Sequence, residues 1–352
     1  MTQTAQADLT PSPLRDERVG RNSVLARLFA RPEMGAVSGA IVIFLLFFII
    51  APPFRSAGSL ATVLYVASTF GLMSAPIALL MIGGEFDLSA GVAVTSSALT
   101  ASLFSYEFTV NVWAGVAVAL AVSLAIGFLN GWIVVRTGIP SFLVTLGTFF
   151  MLQGLNLALT QTITNQVASP DISEIQGFSA AQKVFASSFT IGGVNIRTTI
   201  IYWIVVVFIA TWILLRTHVG NWIFSVGGSA PSARAVGVPV AKMKIGLFMG
   251  VGLLAWFTGM HTLFEFNTIQ SGQGVGNEFV YIIAAVVGGC LLTGGYGSAV
   301  GAAIGALIFG MTQQGIVYAG WDPDWFTFFE GALLLGAIVL NTFIRRRAEA
   351  SR

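Results

Sequence analysis

Two carboxylates stand inside one of the most apolar regions of the chain: Glu85 and Asp87, in MIGGEFDLSAGVAV, Met81 to Val94. Acids two residues apart could act as an acid–base pair, a cation site or a proton relay. Like charges about 4–5 Å apart would also raise one of the two pKa values unless water or a cation intervened. A carboxylate at the centre of a bilayer costs about 2.5–3.5 kcal/mol on insertion scales, so the pair must face water or sit at a boundary. Two readings follow. In one, Gly83-Gly84 ends a helix, Asp87 or Ser89 caps the next, and the positive end of that helix favours the acid. In the other, Gly83, Gly84, Asp87 and Ser89 line a translocation path or its gate, as broken helices do in transporters.

Little else in the chain suggests catalysis. A P-loop needs a Gly-Lys-Ser/Thr ending so that backbone amides and a lysine cradle phosphates, and no Gly-Lys pair occurs. Zincin and nucleophile-elbow motifs are absent from the sequence. His218 and His261 are too far apart in the expected topology to share a metal, and the single cysteine, Cys290, lies in an apolar run as packing. No catalytic residue, metal ligand or cofactor is therefore assigned. SGQGVGNEF, Ser271 to Phe279, lacks the spacing of a dinucleotide fingerprint and reads as an external hinge into a helix, with Glu278 near the helix start. Thr145, Gly147 and Thr148 place small and polar atoms inside an apolar stretch, for close packing or a pore lining. Gly297, Gly301 and Gly305 recur at four-residue spacing, a ridge that permits close helix approach.

The elements that must carry these residues are membrane helices. Of 352 residues, 55% are hydrophobic and 9% charged, with a mean hydropathy of +0.84, far from the quarter charged of a soluble domain. A span of about 30 Å of hydrocarbon needs roughly 20 residues, and about ten apolar runs qualify: 36–53, 59–82, 88–105, 111–134, 140–160, 198–215, 243–265, 278–293, 297–319 and 325–344. The expected fold is an all-α polytopic membrane protein. With the N-terminus cytoplasmic, 14 of the 17 Lys and Arg fall inside and Arg55, Lys183 and Arg197 outside, so both termini are expected in the cytoplasm. Residues 1–35 read as a disordered cytoplasmic tail with no signal-peptide cleavage site, 36–344 as the transmembrane domain and 345–352 as a basic cytoplasmic tail. The longest connection, 161–197, is external; 216–242 is the longest cytoplasmic one, with a helix-capable piece at Pro231 to Val236. No basic stripe suggests nucleic acid.

Four segments in order resemble the inner-membrane permeases of bacterial ABC sugar importers of the ribose/xylose/galactose branch. They are GGEFDLSAG, GFLNGWIVVRTGIPSFLVTLGT, VGGSAPSARAVGVPVAKMKI and IIAAVVGGCLLTGGYGSAVGAAIGALIFG. The resemblance implies a bacterial inner-membrane permease fold related to vitamin B12-type importers. It also implies a homodimer or a pairing with a sister permease, cytoplasmic ATPase subunits that bind ATP and Mg, and a periplasmic sugar-binding protein. The chain itself would not be an enzyme. Gly227, Gly228, Ser229, Ser232, Ala233, Arg234 and Gly237 resemble the coupling loop that rests on the ATPase, with Ser229 where the family usually has Asn. Asp87 matches the family; Glu85 departs from it, since an apolar residue is usual there. The expected function is import of a pentose, hexose or related polyol. An ion-coupled secondary transporter using Glu85 and Asp87 is the alternative reading, and a membrane hydrolase would need a nucleophile–base pair that the sequence does not offer.

Overall fold

The computed structural model describes residues 33–108 and 111–350. The expected tail therefore lies outside the described residues up to Pro32, as does the end of the basic tail beyond Ala350. The helices are α1 (Glu33–Ile50), α2 (Ala57–Ile82), α3 (Ala90–Glu107), α4 (Val112–Thr137), α5 (Ser141–Thr164), α6 (Phe178–Phe185), α7 (Thr199–Arg216), α8 (His218–Gly228), α9 (Ala230–Ala235), α10 (Val240–Phe266), α11 (Asn277–Val287), α12 (Ala299–Tyr318) and α13 (Trp325–Ala350).

Seven of these, α1, α2, α4, α5, α7, α10 and α12, are long and apolar enough to cross a membrane. The run expected as a span over 278–293 is not helical throughout. Its helix, α11, stops at Val287 after 11 residues, about 16 Å at 1.5 Å per residue and half the hydrocarbon thickness. A Gly-Gly pair ends it, and the chain stays non-helical to Ser298. The basic segment 345–350, expected as a tail, continues α13 as helix.

Close packing follows the small residues, as it must where lipid tails are as apolar as leucine and hydrophobicity alone cannot hold helices together. Gly127 and Gly131 of α4 sit against the backbone of Phe248 and Ile245 on α10, and Ser123 Oγ donates to the Gly252 carbonyl at 2.7 Å. Gly301 and Gly305 of α12 press on Gly288 and Ala284. Gly297 is not part of that ridge: it precedes the helix in an extended turn with φ 155°, because Ser298 caps α12 through the Gly301 amide.

The connection over 161–197 holds a short helix and a hairpin. Strands β1 (Ser188–Ile191) and β2 (Val194–Arg197) pair antiparallel, with Ile191 opposite Val194. The turn residues Gly192 and Gly193 both have positive φ, 57° and 79°, the backbone a two-residue hairpin turn requires. The fold is thus mostly helical, with one small hairpin among the described residues. Ahead of it, α6 buries Phe178, Ala181 and Phe185, with the Phe185 ring stacked on Phe264 of α10.

Candidate functional site

Three glycine pairs that are distant in sequence, Gly83-Gly84, Gly227-Gly228 and Gly294-Gly295, meet at one point. The first, Gly83-Gly84, ends α2 in a Schellman turn: the Gly84 amide donates to Met81 O at 2.9 Å and the Glu85 amide to Leu80 O at 3.1 Å. Gly84 takes the left-handed φ of 84° that the turn demands. Away from that point, Gly288-Gly289 ends α11 in the same kind of turn. Gly289 donates to Val286 O and Cys290 to Ala285 O, both at 2.9 Å, with φ 92° at Gly289. Each break is followed by a serine, Ser89 or Ser298, at the start of the next helix. The same helix–turn–helix unit is therefore built twice.

Gly227-Gly228 closes α8 and packs between the end of α2 and Gly294-Gly295, in the loop that follows the second break. A Cβ on Gly227 would overlap the Ile82 carbonyl and lie 2.6 Å from the Gly295 nitrogen; one on Gly294 would come within 2.7 Å of Gly84 Cα. The Gly295 amide donates to Ile82 O at 2.8 Å. Backbone touches backbone here, so three elements are fixed to one another without side chains between them. Gly294 and Gly295 were not singled out by sequence, although their pairing in TGGYG was the available signal.

From this junction α9 projects as a rigid six-residue helix. Ser229 caps it, accepting the Ser232 amide at 3.4 Å and donating to Ser232 Oγ at 2.8 Å. A third Schellman turn closes it: Gly237, φ 88°, donates to Arg234 O at 3.1 Å, and Val238 to Ala233 O at 3.0 Å. Ala233 and Val238 are buried, whereas Ser232, Arg234, Val236 and Gly237 are exposed. Val236 is 80% exposed, an apolar side chain beside a cation on an outward tip. The helix-capable piece was legible in the sequence; that α8 precedes it as a second helix was not.

The two acids do not act as a pair. Glu85, 5% exposed, accepts an ion pair from Lys244 Nζ of α10. Asp87, 3% exposed, accepts the Ser89 amide at 2.8 Å and Ser89 Oγ at 2.6 Å. Asn130 Nδ2 then donates to Ser89 Oγ at 3.0 Å, and Thr148 Oγ1 to Asn130 Oδ1 at 2.6 Å. Two free amides of the turn are taken by α5, Phe86 N by Ser141 Oγ at 2.9 Å and Leu88 N by Thr145 Oγ1 at 3.0 Å. Ser89 stands at the start of α3 but makes no side-chain cap bond; its hydroxyl is committed to Asp87. Thr145 and Thr148 thus hold the break rather than merely thin a helix contact. A buried charge is tolerated where its partners are in place, and here Ser89, the Phe86 and Leu88 amides and Glu85 are tied to α4, α5 and α10 respectively.

The family model described as branched-chain amino acid transport system / permease component matches residues 59–338. The chain belongs to this permease family. It is similar to the fructose import permease protein of Rhizobium meliloti, with 28% identity over 302 residues, 85% of this chain and 82% of the relative. It is also similar to the ribose import permease protein of Escherichia coli K12, with 28% identity over 313 residues, 88% of this chain and 93% of that protein. The galactose/methyl galactoside import permease protein of the same strain is 27% identical over 303 residues, 83% and 88% of the two chains. No solved structure matches this chain. The relatives are permease components of sugar importers, and the chain is a multi-pass inner-membrane protein of that kind.

Proposed function

We propose that this chain is the transmembrane subunit of an ATP-driven sugar importer and carries its substrate across unchanged. ATP and Mg are bound by separate ATPase subunits that dock on α9, two such permeases or a sister pair form the channel, and a periplasmic binding protein lands on residues 161–197. Both termini are cytoplasmic in this reading, and α3, α11 and α13 complete ten membrane helices in a fold related to vitamin B12-type importers. The glycine junction is the observation that supports it. A short helix capped at both ends, with Arg234 and Val236 outward, is joined through Gly227, packed on the Ile82 carbonyl and the Gly295 nitrogen, to the end of α2 and to the loop that follows α11. Motion of such a helix is passed to the breaks as rigid-body displacement, the way small shifts are amplified in packed interfaces. Arg234 offers a fixed cation to a carboxylate on the ATPase. Gly83, Gly84, Asp87 and Ser89 then form the hinge at which α2 and α3 move.

The ion-coupled alternative has no free acid to use, since Glu85 is engaged by Lys244 and Asp87 by Ser89. The test is Arg234→Glu in the permease assembled with its ATPase and binding protein. Sugar-stimulated ATP hydrolysis should fall at least tenfold while the purified permease keeps its thermal stability. Unchanged stimulation would remove α9 as the coupling element.

A further inference from the structure

Away from the glycine junction, α2, α3, α10, α11 and α12 enclose a cavity of about 330 Å³, one wall of it formed by the segment leading into α11. That volume is within the range of small-molecule sites. Its lining is polar yet uncharged. Tyr65 and Thr69 of α2, Asn277 of α11 and Gln313 of α12 are each partly accessible there. Together they present hydroxyls and amides that both donate and accept hydrogen bonds. Thr258 of α10 also lines it; its residue is 3% exposed and its Oγ1 has no hydrogen-bond partner. A buried hydroxyl left unpaired is costly, which makes it a vacancy for a ligand group.

The aromatic rings are held in place rather than free. Tyr65 Oη lies 3.2 Å from His261 Nε2, and His261 Nδ1 is 2.9 Å from the Phe185 carbonyl, which fixes the ring that donates there. The Arg197 guanidinium stands over the other side of the Tyr65 system, 5.5 Å from the ring centre, and is itself paired with Glu265. Tyr281 supplies a second ring to the lining. Rings with hydroxyl tips offer apolar faces beside hydrogen-bonding groups.

We infer that this cavity is a transient binding station for a neutral polyhydroxylated molecule of monosaccharide size, rather than for an amino acid. An amino-acid zwitterion brings a carboxylate and an ammonium, and each would be desolvated without a counter-charge, because the lining contains no Asp, Glu, Lys or Arg. The two positive features close by are already engaged: Arg197 is paired with Glu265, and at the start of α11 Glu278, 2% exposed, accepts the Gly276 amide at 3.1 and 3.2 Å. A sugar instead matches alternating donors and acceptors on its rim with C–H faces for the rings. Contacts of this kind are many and individually weak, which lets a transported molecule leave.

The inference rests on the importer reading and adds a binding place within this chain, so the experiment separates the two. In the complete importer reconstituted in proteoliposomes, uptake of D-ribose, D-fructose, D-galactose and L-leucine is measured for the parent chain and for Thr258→Val and Gln313→Leu. Thr258→Val keeps shape and removes an unpaired hydroxyl, so thermal stability should hold or rise while the KM for the transported sugar rises at least threefold. Gln313→Leu should do the same. As a binding readout that does not depend on transport, Gln313→Cys in the permease alone should react with a small thiol reagent, and the sugar should slow that reaction at least twofold; native Cys290 is buried. Sugar uptake by the parent with unchanged KM in both variants, and no protection of Gln313→Cys, would overturn the station and leave the importer standing. ATP-driven uptake of L-leucine but of no sugar would overturn both.

Discussion

Gly227→Ala and its neighbour Gly228→Ala form a paired test of the junction. The two changes add the same methyl group one residue apart at the end of α8. At Gly228 nothing lies within 4 Å of the new atom, and alanine is favoured over glycine in a helix by up to about 1 kcal/mol. That variant should be neutral or slightly more stable. At Gly227 the methyl overlaps the Ile82 carbonyl and approaches the Gly295 nitrogen to 2.6 Å. Overpacking of a close contact costs about 1–3 kcal/mol, and separating Gly295 N from Ile82 O removes a 2.8 Å hydrogen bond worth about 0.5–1.5 kcal/mol. The sum, about 1.5–4.5 kcal/mol, should lower the thermal midpoint of the purified permease by about 3 °C or more. Because the clash forces α8 away from both breaks, sugar-stimulated ATP hydrolysis in the assembled importer should also fall further than in Gly228→Ala. Equal midpoints and equal coupling for the two variants would refute the idea that backbone contact at this point transmits motion.

Two further outcomes concern the acids. Lys244→Met leaves a buried Glu85 carboxylate without its partner and should destabilise the permease by about 2–4 kcal/mol, whereas Glu85→Leu with Lys244→Met should recover most of the loss, since an ion pair replaced whole by apolar groups costs little; unfolding midpoints of the three proteins decide it. Asp87→Asn keeps an acceptor for Ser89 but exchanges a charged hydrogen bond for a neutral one, a loss of about 1 kcal/mol, so assembly should survive with altered uptake, and Asp87→Leu should fail in both measurements.

Much of this architecture was readable from residue order. The Gly-Gly stop of α2, the serine that begins α3 and the compact helix near Pro231 all follow from local rules for helix ends, which depend on a few neighbouring residues. The length of α11 was misjudged because Cys290, Leu291 and Leu292 continue an apolar run past the glycines, and hydropathy does not register a left-handed turn. Gly297 was assigned to a helical ridge on spacing alone, while the cap formed by Ser298 starts the helix after it. The role of Glu85 was hidden for a different reason. Its partner, Lys244, is 159 residues away, and in residue order that lysine has only a topological meaning. Asn130 likewise reaches Ser89 across 41 residues, and nothing local marks it. Close approach of three glycine pairs is a tertiary fact; each pair alone reads as a loop.

The most direct test of the importer reading is uptake of radiolabelled monosaccharides into proteoliposomes containing this permease, with and without its ATPase and binding protein, after sodium and proton gradients have been collapsed. ATP-dependent accumulation that requires both partners is the predicted result. Accumulation by the permease alone, driven by a restored ion gradient and indifferent to ATP, would contradict it.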